Sequence, residues 1–201
     1  MSAHRIVRAA ELGSGVGVLA LLLLTAGCLG RSPSPDHFVL GAADRGTPGD
    51  AAPEVSMLVG PVRLPAYLDR PQFARLDENG EVSLDEFSRW LGGFEANLLR
   101  SLSLEIAQLT GSIEITTHPS RAPFPFDATL RLHVDDLVVV EDALRVRIRW
   151  ALVRSEEGHS PVLGLVEERI PLEGPTNADV VAAHEVAIGA LAAAVVAALD
   201  Y

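Results

Sequence analysis

The sequence is poor in cysteine: Cys28 is the only one in 201 residues, so no disulfide can form within the chain. A lone cysteine also excludes zinc fingers, iron–sulfur clusters and thioredoxin-type redox pairs, which need several. Basic residues are few as well, 16 against 27 acidic ones, which gives a formal net charge of -11. That balance argues against nucleic acid as a partner and against an electrostatic attachment to anionic lipid.

Catalytic motifs are also missing. The chain has no G-x-S-x-G, no P-loop and no dinucleotide-binding glycine fingerprint after a strand. The histidines at positions 37, 118, 133, 159 and 184 are scattered, with no H-E-x-x-H and no pair at metal-ligand spacing. We expect His133 on the outer face of a strand and His184 in a solvated or capping position. The sequence therefore predicts no enzyme active site, no cofactor and no metal.

One stretch resembles part of a calcium-binding loop. Residues 77–87 look like the second half of an EF-hand loop, with Gly80 at the sharp turn. However, Arg75 stands where the first aspartate ligand belongs, and Pro65 and Pro71 lie where the preceding helix should be. An Asn-Gly pair between two short alternating runs predicts a β-hairpin instead.

The N-terminus has the pattern of a bacterial signal peptide over residues 1–27. Arg5 and Arg8 precede an apolar run from Val16 to Leu24, and small residues follow. The run is shorter than the roughly 20 apolar residues that a membrane-spanning helix needs. Cleavage before Cys28 would therefore leave that cysteine as the new N-terminus.

The residues just before Cys28 indicate what happens to it. Leu-Thr-Ala-Gly-Cys resembles the bacterial lipobox, which predicts a diacylglyceryl thioether and an N-acyl chain such as palmitate on Cys28. Several acyl chains together anchor a protein stably. A buried free thiol or ordinary secretion are the alternatives. Leu29 follows instead of the Asp of the inner-membrane retention signal, so we expect the outer membrane of a Gram-negative bacterium, facing the periplasm.

Composition divides the rest of the chain in two. Residues 28–53 are rich in Ser, Pro, Gly, Asp and Ala, which predicts a flexible tether. One apolar island, Phe38–Leu40, belongs to the tether or forms a short first strand. The folded domain is predicted over residues 54–201, and the 48% hydrophobic content of the chain is enough for a core.

Periodicity predicts an α+β domain, in which an antiparallel hairpin/meander sheet is packed by two amphipathic helices. Alternating arginines at 145, 147 and 149 should pair with carboxylates on the neighbouring strand, each exposed pair contributing under about 1 kcal/mol. The predicted strands are 55–59, 73–76, 81–84, 112–117, 128–141, 143–153 and 162–172, and the predicted helices are 85–108 and 178–199.

A proline-rich stretch joins the first strand to the hairpin. Pro61, Pro65 and Pro71 each lack an N–H and fix φ, so we expect none of them in a helix or a central strand. Two interpretations remain open: a rigid connector that only changes the chain direction, or a rigid surface that another chain recognises.

The stretch from Val59 to Gln72 is similar to the signature of the PqiC/YmbA-type lipoproteins, the ABC-type transport auxiliary lipoprotein family. The lipobox before it, Arg89-Trp90 and Asn97 after it, and the late Ala-rich helix fit the same family. The resemblance covers most of residues 38–200.

This resemblance implies a non-catalytic lipoprotein that partners an MCE-domain protein and inner-membrane transport components. Such systems are associated with phospholipid movement between membranes and with envelope integrity. The oligomeric state, a homo-oligomer included, stays open. Carried over by position, the partner-binding residues implied are Pro61, Leu64, Pro65, Tyr67, Asp69, Arg70, Pro71 and Trp90, although Tyr67 and Trp90 could instead belong to the core.

A second hypothesis is a stand-alone periplasmic-side envelope lipoprotein that binds lipid itself. It predicts a large apolar pocket between the sheet and the helices. The accessory-subunit hypothesis predicts a filled core and an exposed apolar or aromatic patch.

Overall fold

The computed structural model describes residues 33–41, 55–120, 122, 124–156 and 158–199. The predicted signal peptide, Cys28 and most of the predicted tether lie outside these residues. The strands are β1 Asp36–Phe38, β2 Met57–Arg63, β3 Gln72–Leu76, β4 Val82–Trp90, β5 Ile115–Thr117, β6 Ala128–Val140, β7 Ala143–Arg154 and β8 Val162–Pro171. The helices are α1 Phe94–Thr110 and α2 Asn177–Ala197.

The described strands form one curled sheet built around β6. Along its whole length β6 pairs antiparallel with β7, which pairs antiparallel with β8. The other edge of β6 is shared: β2 runs parallel to its first half, and β3 runs parallel to its last two residues. The β3–β4 hairpin continues the sheet, β1 adds parallel to β4, and β5 adds parallel to β2.

The α+β prediction is thus confirmed, but the purely antiparallel meander is wrong. Antiparallel neighbours are joined by short turns that a sequence displays, such as Asn79-Gly80 and Glu141-Asp142. Parallel neighbours require a long crossover, so no local signal reveals their pairing.

Both helices contribute to a common core with the sheet. α2 begins with a capping box, in which Asp179 N–H donates to Thr176 Oγ1 at 3.3 Å and Thr176 N–H donates to Asp179 Oδ2 at 2.8 Å. Ile188 and Leu191 are fully buried, whereas Val186 faces solvent. The exposed positions of α2 are also apolar. The prediction that this helix is amphipathic is therefore wrong. Its length and mean hydropathy of 2.0 would suffice to cross a membrane, as is common for a core helix.

The first helix starts later than predicted. Residues 85–90 belong to β4, where Trp90 N–H donates to Pro71 O at 2.6 Å, and the helix begins only at Phe94. Gly92 and Gly93 have φ of 80° and 90°, a left-handed backbone that no α-helix continues through. The three- and four-residue spacing of apolar residues extends across this break, and that misled the prediction.

Pro61 lies inside a strand, contrary to expectation. β2 continues through Gly60 and Pro61 to Arg63. Its pairing with β5 ends at Val59, and its register with β6 shifts between Val59 and Val62. The missing N–H of Pro61 therefore falls at a bulge, where no ladder hydrogen bond is lost.

Part of the predicted tether packs on the domain. The apolar island does contribute a first strand, at Asp36–Phe38, and Leu40 beyond it is fully buried. Leu40 N–H donates to Asn97 Oδ1 at 3.1 Å, and the Arg100 guanidinium donates to Leu40 O. Residues 42–54 lie outside the described part of the chain.

Candidate functional site

The proline loop, residues 64–71, connects β2 and β3, which pair with different parts of the same edge of β6. β2 leaves β6 opposite His133, and β3 joins β6 opposite Val139, so the loop bridges the gap between the two strands. A turn closes its centre, where the N–H groups of Leu68 and Asp69 donate to Pro65 O at 2.9 and 3.2 Å. The loop is therefore tied to the sheet at both ends and folded on itself in the middle.

The inner side of this loop belongs to the core. Leu68 is buried, and Leu64 and Tyr67 pack partly buried against the core. The Tyr67 hydroxyl donates a long hydrogen bond of 3.5 Å to Asp136, which also accepts from Arg145 at 2.9 Å. Burial raises the pKa of Tyr67 and the Asp136 carboxylate raises it further, while the Arg145 guanidinium opposes the rise.

The outer side of the loop is exposed. Asp69, Arg70 and Pro71 face solvent and line one wall of a surface groove of about 360 Å³. The opposite walls come from the Gly92–Ala96 entry into α1 and from His118-Pro119 after β5. The groove carries both signs of charge: the Arg70 guanidinium and the carboxylates of Asp69 and Glu95.

Trp90 lies in the core rather than on this surface. Its side chain is 5% exposed, and its ring stacks on Phe73 with centroids 4.1 Å apart. Phe94 and His184 contact it at centroid distances of 5.4 Å each. An indole in this position fixes the end of β4 against α1 and α2.

His184 is buried, so the prediction of a solvated or capping role is wrong. Its Nδ1 lies 2.8 Å from Val180 O, one turn earlier in α2. Desolvation lowers its pKa to about 4, even though hydrogen bonds to the Val180 and Leu137 carbonyls oppose this shift. The ring is therefore neutral at physiological pH and acts as a packing group of the aromatic cluster.

The arginines of β7 behave as predicted for cross-strand pairs. Arg149 donates to both oxygens of Asp135 at 2.7 and 2.8 Å, and Arg145 pairs with Asp136. Arg147 pairs with Glu167 on β8. The hydrogen bond from Arg149 is the main reason that the pKa of Asp135 is lowered.

The structure thus divides the predicted partner-binding residues among four places. Asp69, Arg70 and Pro71 meet at the groove, and Pro61 is exposed separately on β2. Leu64, Pro65 and Tyr67 are half-buried and form a seam between the loop and the core. Trp90 is in the core. Sequence reasoning missed Glu95 and His118-Pro119, because only the tertiary fold brings them to the loop. Cys28 lies outside the described residues, which contain no group of three or more potential metal ligands.

Two solved structures share this α+β fold. One, titled only as an uncharacterized protein, has a TM-score of 0.66 at 12% identity and covers 83% of this chain and 99% of its own. The other is a protein of Xanthomonas campestris assigned to the DUF330 family, with a TM-score of 0.56, 18% identity and coverages of 82% and 91%. No curated protein matches the chain significantly.

The family of this domain is shown by a match to a family model. Residues 38–196 match the family model of the ABC-type transport auxiliary lipoprotein component. The chain belongs to this family, and the resemblance drawn from its proline loop is confirmed.

Proposed function

We propose that this chain is a non-catalytic accessory lipoprotein of an MCE-type lipid transport system, supporting envelope integrity. The family consists of lipoproteins that are auxiliary components of ABC-type transport. This membership supports a role beside transport partners. The lipobox supports an anchor on Cys28, and Leu29 in place of the inner-membrane retention Asp supports the outer membrane, facing the periplasm. The MCE-domain partner and the inner-membrane components follow from the resemblance of the proline loop.

The filled interior is the observation that carries the proposal. Within the part of the chain that the structure describes, a cavity between the sheet and the helices, bounded by Leu68, Phe73 and Trp90 among others, has a volume of only about 10 Å³. Pockets for small ligands are typically about 300–1,000 Å³. An acyl chain has no room there, which favours an accessory subunit that acts by contact over a stand-alone lipid carrier.

The exposed side of the proline loop is the docking surface we propose. Its residues Asp69, Arg70 and Pro71 are held from beneath by the buried Leu68 and the half-buried Tyr67. A surface that is already ordered loses little conformational entropy on binding. The mixed charges of the groove suit a polar partner segment with both donors and acceptors.

Site-specific photocrosslinking tests this proposal. The chain has no lysine, so amine-reactive crosslinkers would find no side chain. A photoreactive amino acid replaces Arg70 in the lipidated protein in envelope membranes, and the matched control replaces Arg169, an exposed arginine at the far end of the outer sheet face. We expect an MCE-domain protein to be captured from position 70 only.

Two other results would contradict the proposal. Capture of the same partner from position 169 but not from position 70 would place docking away from the proline loop. Co-purification of lipid in a fixed ratio, with no protein captured from either position, would support the stand-alone lipid-binding lipoprotein instead.

A further inference from the structure

The outer face of strands β6, β7 and β8 changes character along its length. Towards the β6–β7 turn it carries the ion pairs, including Arg145–Asp136 and Arg169–Glu141. Towards the opposite end, two rungs of directly paired residues mix cations with apolar side chains. We call these two rungs the basic-apolar patch: Arg131, Ala151 and Leu163 in one, and His133, Arg149 and Leu165 in the other.

This patch forms an open groove of about 610 Å³. Ala151 is its floor, because its short side chain lies between Arg131 on β6 and Leu163 on β8, strands about 10 Å apart. Leu163 is 75% exposed and Leu165 is 48% exposed. Two adjacent leucines of an edge strand therefore point into solvent beside a cationic wall.

The charge of the patch is unusual for this chain. None of the residues that line the groove is acidic, whereas the grooves at the proline loop, at the ion pairs and at the β3–β4 hairpin each contain carboxylates. Within the described residues, neither Arg131 nor Arg63, which lies on β2 opposite His133, forms an ion pair. Other arginines of the same face do, and Asp135 is already engaged by Arg149.

We propose that the basic-apolar patch rests on the surface of a bilayer that contains anionic phospholipid. Leu163 and Leu165 enter the interface, and Arg131 and Arg63 contact phosphate oxygens. An open groove cannot enclose the acyl chains of an extracted lipid. Outward-facing leucines beside cations instead suit the membrane interface, where anionic phosphates lie next to the acyl chains. This contact does not rest on the partner proposed above.

The formal net charge of -11 does not prevent such contact. Charges are screened over about 8 Å at physiological ionic strength, which is much less than the width of the domain. The acidic β3–β4 turn, residues 77–81, lies beside the β6–β7 turn, at the opposite end of β6 from the patch. Near the patch, Glu156 in the β7–β8 turn lies 3.8 Å from His159. The overall charge therefore misrepresents the local potential.

Vesicle flotation tests the proposal on the mature chain, residues 28–201, with Cys28→Ser. This change removes the lipid anchor, and omitting residues 1–27 removes the apolar run of the signal peptide. We expect binding to vesicles of phosphatidylcholine with phosphatidylglycerol, and none to phosphatidylcholine alone. Arg131→Gln should weaken binding about fivefold, as is typical for one arginine near an anionic surface.

Matched controls separate the patch from general effects. Arg169→Gln removes an exposed arginine of the same face, and Leu104→Ser removes a 43% exposed leucine of α1; both should bind like the parent. Leu163→Ser should weaken binding. A Leu165→Trp reporter should be quenched by brominated acyl chains, since the native Trp90 and Trp150 are buried. This readout decides the matter even if the serine variant does not fold.

Four outcomes would overturn the proposal, three with purified protein and one in envelope membranes. The first is no phosphatidylglycerol-dependent flotation. The second is equal loss in the control variants. The third is saturable binding of monomeric lysophosphatidylglycerol without vesicle binding, which would make the groove a site for a single amphiphile. In envelope membranes, a photoreactive residue at position 163 should crosslink to lipid; a protein adduct alone would assign the patch to a protein partner.

Discussion

The indole of Trp150 lies against the backbone of Gly164 on the neighbouring strand. A Cβ at position 164 would be 2.2 Å from Cε2 and Cζ2 of the ring. The glycine is therefore required by the close approach of the ring, which fills the space that a β8 side chain would otherwise occupy.

Gly164→Ala should consequently destabilise the domain. Overpacking against a buried ring typically costs about 1–3 kcal/mol, measured as a lower midpoint in urea unfolding. Gly189→Ala is the matched control, because a Cβ there meets nothing within 4 Å and alanine favours helix by roughly 0.5–1 kcal/mol. If both variants shifted the midpoint in the same direction, the steric explanation would be wrong.

His184 should make stability depend on pH. Its pKa is about 4 in the folded protein, below the ordinary 6.5, so the unfolded chain binds more protons between these values. The contribution of the neutral ring is complete above about pH 6.5 and is lost as the pH falls towards 4, with a slope of at most about 1.4 kcal/mol per pH unit.

The check is a comparison with His184→Gln, which cannot titrate. We expect the free energy of unfolding of this variant to fall less steeply than that of the parent between pH 6.5 and 4. Identical slopes would mean that the buried ring is not the group that titrates.

Asn97 should hold the N-terminal segment on the domain. Its side chain accepts from Leu40 N–H and donates to Leu91 O and Gly93 O, both at 2.7 Å. Each buried backbone group left without a partner costs about 1–3 kcal/mol. Asn97→Ala should therefore lower stability by several kcal/mol and increase hydrogen exchange at the Leu40 amide.

Ser103→Ala is the control for that prediction. Ser103 is also buried in α1, but its hydroxyl bonds only to Arg100 O within the same helix. We expect a stability change below about 1 kcal/mol and unchanged exchange at Leu40. Equal exchange in the two variants would show that Asn97 does not hold the segment.

Tyr67 and Arg70 should separate folding from docking. Tyr67→Phe keeps the ring packed and removes only a long hydrogen bond, so stability and partner capture should both persist. Arg70→Ala changes an exposed side chain and should leave the unfolding midpoint within about 0.5 kcal/mol of the parent while reducing capture. Retained capture in Arg70→Ala would remove this arginine from the docking surface. Tyr67→Ala is unsuitable, because it opens the seam over the core.

Cys28→Ser should abolish lipidation. We expect loss of metabolically incorporated palmitate and accumulation of a precursor that still carries residues 1–27, seen by gel mobility and mass spectrometry. Continued palmitate labelling would place the acyl chain on another residue.

The sequence predicted those parts of the fold whose signals are local. Asn79-Gly80 predicted the β3–β4 hairpin. Alternating apolar and polar residues between short turns predicted β6, β7 and β8. The parallel placement of β2 and β3 on β6 pairs residues 64 to 71 positions apart in the chain, for which one sequence holds no register information.

The candidate site shows the same limit. Pro65 and Pro71 correctly marked a loop, but only packing decides that Tyr67 faces inward and Arg70 outward. His184 was misjudged because its neighbour Glu185 is polar, whereas the ring itself fills a space between Trp90 and Phe94. The formal net charge likewise gave no indication of the basic-apolar patch, because the patch forms only when β6, β7 and β8 pair.

The packing of Leu40 and β1 on the domain would shorten the tether to a lipid anchor on Cys28. If Cys28 carries the anchor, only the eight residues 28–35 separate the acyl chains from β1, and they span at most about 29 Å. A domain of this size is about 40 Å across. With such an anchor, the domain would stay within about its own width of the membrane that holds it, and a partner in the opposite membrane would have to span the remaining distance.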